Sequence, residues 1–95
     1  METYEVAHIR QQGVDLIIIP LKPVFGGKPP VEQQRIFNFL QRSASSAGLA
    51  GTVVPVWDSG SGRMGFWAPP NWHSFFKSID LNFVATNINR KLTCP

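Results

Sequence analysis

The sequence predicts an α+β fold in two layers: an antiparallel or mixed five-stranded sheet with helices on one face, in the order ββαββαβ with a last helical turn. Three observations predict it. Val14–Leu21 carries three consecutive isoleucines, the mark of a strand covered on both sides or central in its sheet. Two segments place apolar residues at helical spacing, one stripe each, which is why a single helix-covered face is expected. Between them, Val53–Ala68 holds two runs rich in β-branched and aromatic residues around Asp58-Ser59-Gly60-Ser61-Gly62, the pattern of a hairpin with a loop of about five residues. All three tryptophans and three of the seven phenylalanines fall within Val53–Ile79, so the core must draw on that stretch.

Taken in order, Tyr4–Gln11 alternates loosely and reads as the first strand. Gln11-Gln12-Gly13 supplies a short antiparallel turn with glycine in the left-handed region. Pro20 removes a backbone donor, so pairing of the second strand should weaken there. Lys22–Pro30, with its prolines and glycines, is a loop. Its Gly26-Gly27-Lys28 lacks the spacing of a phosphate-binding loop, and Pro29 follows the lysine. The first helix begins near Pro30 or Val31. Ile36, Leu40, Ser43/Ala44 and Ala47 form its stripe, with Phe37 beside it, and Phe39 either widens the stripe or stays exposed at an interface. Glu32, Gln33, Gln34, Arg35, Gln41 and Arg42 form the outer face, and Gly48 is a left-handed stop.

In the hairpin, Pro55 points to an edge position or a bulge, and Gly65 leaves room for an indole ring across the ladder. Asn71 is placed to cap a short helix bearing Trp72, Phe75, Phe76 and Ile79 at i, i+3, i+4 and i+7. Leu81, Phe83 and Ala85 alternate with Asn82, Val84 and Thr86 and read as the fifth strand. Thr86 then caps a short helix over 86–93 holding Ile88 and Leu92; the alternative is a strand that runs on. Cys94-Pro95 reads as a frayed end.

Ninety-five residues suit one domain, 1–95, with a single core. The chain is 43% hydrophobic and only 16% charged, which argues against disorder and for a surface prone to association. No apolar run reaches the roughly 18–20 residues that span a bilayer, and no basic segment precedes an apolar one at the start, so a cytoplasmic protein without membrane contact is expected. The single cysteine forms no internal disulfide. The net charge is +3, but its nine basic residues are scattered, with only Arg90-Lys91 adjacent.

Little in the chain points to chemistry. Ser59 or Ser61 with His73 and Asp58 is formally a nucleophile–base–acid set, yet it sits on a flexible turn without a nucleophile-elbow motif. His8 and His73, with one remote thiol, offer no metal-ligand spacing, so neither a metal nor a cofactor is expected. His8 reads as a half-buried strand residue. The candidate binding residues are Trp57, Arg63, Trp67, Trp72 and His73, because arginine beside indole rings suits bases, peptide anchors and aromatic ligands. The competing reading places the tryptophans in the core. If Met64, Phe66 and Ala68 face inward, then Arg63, Gly65 and Trp67 share the opposite face with Trp57. The expected function is therefore a small non-catalytic domain that binds a protein partner or a second copy of itself. The alternatives are a nucleic-acid-binding domain, using Arg63, Lys77, Arg90 and Lys91 beside the aromatic residues of the hairpin, and a small hydrolase or isomerase around Asp58 and His73.

Overall fold

A computed structural model describes residues 2–60 and 62–94; Ser61 and Pro95 lie outside the described residues. Its strands are β1 (Glu2–Gln11), β2 (Val14–Pro20), β3 (Thr52–Gly60), β4 (Arg63–Phe66) and β5 (Arg90–Cys94). Its α-helices are α1 (Pro30–Ser46), α2 (His73–Ser78) and α3 (Leu81–Thr86), and 3₁₀ turns cover Pro23–Gly27 and Pro70–Trp72. The five strands form one mixed sheet in the order β4-β3-β2-β1-β5. Only β2 and β3 are parallel, joined through the first 3₁₀ turn and α1; every other neighbouring pair is antiparallel. The α+β class and the five-stranded mixed sheet are those the sequence predicts.

The isoleucine run lies on β2, the central strand. Ile17 and Ile19 enter one core with Leu40 and Ala44 of α1, while Leu16 and Ile18 enter another with Trp72, Phe76 and Val84. Helices therefore cover both faces: α1 lies on one side, α2 and α3 on the other. This corrects the expectation of two layers with helices on one face. Each helix does have one apolar stripe, but β2 has two apolar faces, and each face needs its own cover.

β1 and β2 meet in a two-residue turn, Gln12-Gly13, with φ of 53° and 76°. Positive φ at both positions matches the right-handed twist of the flanking strands. The loop is thus one residue shorter than expected. β3 is an interior strand, although Pro55 suggested an edge. The Pro55 carbonyl accepts from Trp67 N at 3.0 Å, and the N–H and C=O of one strand residue point to the same side. The missing donor of Pro55 therefore faces the end of β4, beyond its last residue Phe66. The hairpin loop is also tighter than five residues: β3 continues to Gly60, with a register shift between Asp58 and Gly60.

α1 follows its sequence closely, with Leu40 and Ala44 fully buried and Gly48 at φ 82° beyond its end. Two glutamines expected on its outer face work inward instead. Gln41 accepts from Val53 N at 2.9 Å and donates to Gly51 O at 3.2 Å, clasping the start of β3, and Gln33 donates to Phe25 O at 3.0 Å, tying the 3₁₀ turn Pro23–Gly27 to the helix.

The last quarter of the chain departs from expectation. Leu81–Thr86 is helix α3, not the fifth strand, and 87–93 holds no helix; the fifth strand is β5, paired antiparallel with β1. Asp80 decides the first point, because its carboxylate accepts from Phe83 N at 2.8 Å and caps the helix. Asn89 helps decide the second. Its side chain accepts from His8 N and donates to His8 O, both at 2.9 Å, which clamps the chain to β1 just before β5 begins. Leu92 and Cys94 alternate into the α1 core, so Cys94 is buried and not frayed. Asn71 makes no cap; Trp72 holds that position at α2 without a side-chain bond.

Candidate binding surface

The hairpin faces divide as alternation requires. Met64, Phe66 and Ala68 pack against the core under α2 and α3. Trp57, Gly65 and Trp67 lie on the α1 side. Trp57 is paired with Gly65 across the ladder, and its indole fills the space a side chain there would need: a Cβ on Gly65 would stand 2.5 Å from Trp57 Cε2. Gly26 of the first 3₁₀ turn approaches the same edge of the indole, and Phe25 packs against the ring at 5.0 Å between centroids. Gly65→Ala should therefore displace the ring and cost about 1–3 kcal/mol. An unchanged thermal midpoint for that variant would mean the indole is not seated there.

Trp67 meets Phe37 of α1 edge-on, with centroids 4.8 Å apart. Together with Gln34, Ala68 and Pro69 they line a cleft of about 250 Å³. Trp57 and Trp67 are both half-buried, and Arg63 is exposed at the turn end of β4. The ring contacts of the two indoles are with Phe25 and Phe37, not with the Arg63 guanidinium. Trp72, only 8% exposed, belongs to the opposite core. His73 is on that side too, with Nε2 3.0 Å from Ala68 O and its ring beside Phe66. The structure thus brings Trp57, Arg63 and Trp67 to one face, and leaves Trp72 and His73 on the other.

The remaining candidates are dispersed. Arg63 is on one edge strand and Arg90-Lys91 on the other, four strand spacings away, or about 19 Å. Lys77 is on α2, across the sheet from the α1 face. Asp58 accepts from Gly60 N at 2.9 Å, and Ser59 donates to Arg63 O at 3.1 Å. Each of these side chains serves the turn, and among the described residues no hydrogen bond joins Asp58, Ser59 and His73. His8 is half-buried and holds Ala50 O through Nε2 at 2.8 Å. No group of three or more His, Cys, Asp or Glu among the described residues is arranged to hold a metal ion. No helix among them is long and apolar enough to cross a membrane.

A larger concavity was not foreseen from the sequence. A groove of about 950 Å³ opens between α1, the first 3₁₀ turn and the start of β1. Its floor is apolar, built from Tyr4, Leu21, Phe25, Ile36 and Phe39, where the α1 core thins toward the surface. Lys22 and Lys28, from the segment around the first 3₁₀ turn, and Arg35 and Arg42 of α1 also line the groove, with Glu5 the one acidic residue among the described lining residues. Arg35 reaches Glu32 at 3.1 Å; Lys22, Lys28 and Arg42 enter no ion pair among the described residues.

Two features of the fold create this groove. One helix, about 10–12 Å wide, leaves part of a five-stranded sheet uncovered. In addition, β1 pairs with β5 through its first half and with β2 through its second, so β2 ends at Pro20 beside a β1 that continues. The groove thus opens past the carboxyl end of the parallel β2–β3 pair, the end where open sheets with parallel strands form their ligand crevices. The signal in the sequence was present but non-local: Lys22, Lys28, Arg35 and Arg42 are spread over twenty-one positions and two elements. Phe39, off the main stripe of α1, lies half-buried on the groove floor.

No protein-family model matches the chain, and no curated protein or solved structure matches it.

Proposed function

We propose that this is a small non-catalytic domain that acts by binding a protein partner, and that α1 and its two flanks form the recognition surface. The observation that carries the reading is the groove on one flank, which combines an apolar floor with cationic lining residues beyond the carboxyl end of the parallel strands. Partly apolar concavities with a few placed charges are the usual form of a binding site. The Trp67–Phe37 cleft on the other flank adds the kind of half-buried aromatic that anchors a partner. The hydrolase or isomerase alternative has less support, because Asp58, Ser59 and His73 are each engaged with backbone groups.

The test is amide NMR mapping of the isotope-labelled protein against a panel of short peptides of varied charge, with single-stranded oligonucleotides alongside. Shifts should cluster on residues 34–42 and the strands facing them. Trp67→Ala should abolish shifts in its own cleft while the rest of the spectrum stays folded. The binding reading fails if no member of the panel moves the α1 surface. It also fails if Trp67→Ala unfolds the chain and all shifts collect around Asp58 and His73.

A further inference from the structure

Resting on the binding reading, we infer that the groove beside α1 takes an extended acidic segment of a partner protein, one in which carboxylates alternate with aliphatic side chains. The charge distribution selects the acid. Among the described residues, four cations line the groove against one carboxylate, Glu5. Glu32 sits nearby on α1 and is committed to Arg35. Arg35 and Arg42 are seven residues, or about 10 Å, apart along α1, and Lys22 and Lys28 come from the segment around the first 3₁₀ turn, so the cations are spread along the groove. A single anionic headgroup would meet only part of this set, whereas carboxylates spaced along a chain can meet several of its members.

The floor selects aliphatic partners. Leu21 and Ile36 contribute its branched side chains, and Val24, 64% exposed, adds another to the lining. None of the three aromatic lining residues is exposed: Phe25 is only 2% exposed and packs against Trp57, and Tyr4 and Phe39 are half-buried. Single-stranded nucleic acid needs open aromatic faces between its cations, so the groove suits a peptide better.

Its length agrees. Phe39 and Arg42 also line a second hollow of about 510 Å³, which carries the depression along α1 to Ser46 and Thr93 of β5. From Arg35 to Ser46 the helix rises about 17 Å, the span of about five extended residues. A second copy of this chain is a poor occupant. The molecule carries net charge +3, and no two of its six acidic residues stand two positions apart, as an alternating segment requires.

The experiment uses a labelled peptide of about ten residues alternating glutamate and leucine, followed by fluorescence anisotropy at low ionic strength and by amide NMR. Controls are a lysine–leucine peptide, a glutamate–serine peptide and oligothymidine. The glutamate–leucine peptide should bind most tightly, shift amides at 20–28 and 35–42, and weaken as salt is raised. The pair Lys28→Glu and Arg42→Glu should weaken it about tenfold. The pair Arg10→Glu and Lys77→Glu makes the same change in net charge away from the groove and should weaken it far less. Thermal unfolding of both double variants establishes that they are folded. The inference is overturned if the lysine–leucine peptide binds as well, if the two variant pairs weaken binding equally, or if oligothymidine binds the groove more tightly. It is also overturned if the glutamate–leucine peptide leaves the groove amides unmoved. Shifts on the α1 surface from any other panel member would leave the broader binding reading standing, so the two failures are separable.

Discussion

Ile17→Ala and Ile18→Ala should each destabilise the protein by about 2–5 kcal/mol, a loss on the order of 10–30 °C in thermal midpoint. The two residues are neighbours on β2 and both are fully buried, but they point into different cores. Truncating Ile17 opens a cavity against Leu40 and Ala44 of α1. Truncating Ile18 opens one against Trp72, Phe76 and Val84. Because a domain of this size has only about 5–15 kcal/mol of net stability, either loss is a large fraction of it. Urea unfolding measures both, and the midpoint should shift without a change in slope. A sheet covered on one side only would give a different result: one variant would be costly and the other nearly neutral. A loss under about 1 kcal/mol at Ile17 would remove α1 from its place, and the same at Ile18 would remove α2 and α3.

Gly51→Ala should cost about 3 kcal/mol or more, although it adds a single methyl group. Gly51 has φ of 124°, a region L side chains rarely enter. A Cβ there would also run into the Asp15 backbone, with the carbonyl carbon at 2.8 Å. Strain of about 1–3 kcal/mol and steric overlap with a rigid strand act together. The overlap falls where β2 and β3 begin their parallel pairing, next to Leu16↔Thr52, so relief by movement would break the ladder. Gly48→Ala is the matched control. Its φ of 82° is also left-handed, but a Cβ there meets nothing within 4 Å, so only the conformational term of about 1 kcal/mol applies. Equal midpoints for the two variants in thermal unfolding would refute the close approach of Gly51 to Asp15.

Much of the fold was legible where a local pattern met a local constraint. The isoleucine run implied a central strand, and β2 is central. Ile36, Leu40 and Ala44 with Gly48 beyond them described α1 almost to its ends. Gly65 implied an indole across the ladder, and Trp57 is there. Legibility failed where the deciding partner was distant. The alternation of Leu81, Phe83 and Ala85 looked like a strand, but six residues are too few to separate two periodicities, and the carboxylate of Asp80 settles the matter for a helix. β5 is fixed by β1 and by the clamp of Asn89 on His8, some eighty residues earlier. The aromatic group of the hairpin was half legible: alternation put Trp57, Gly65 and Trp67 on one side, but nothing local placed Trp72 in the opposite core.

By itself the sequence determined the class of the fold, the hairpins, the first helix and the central strand, because each depends on contacts within a few residues or on the periodicity of one segment. Only the tertiary structure decided that both faces of the sheet are covered, that Arg90–Cys94 forms a strand beside β1, and that four scattered cations share one apolar groove. Those outcomes depend on which surfaces remain uncovered once α1 has crossed the sheet, and that is a property of the packed whole, with no counterpart in any one segment.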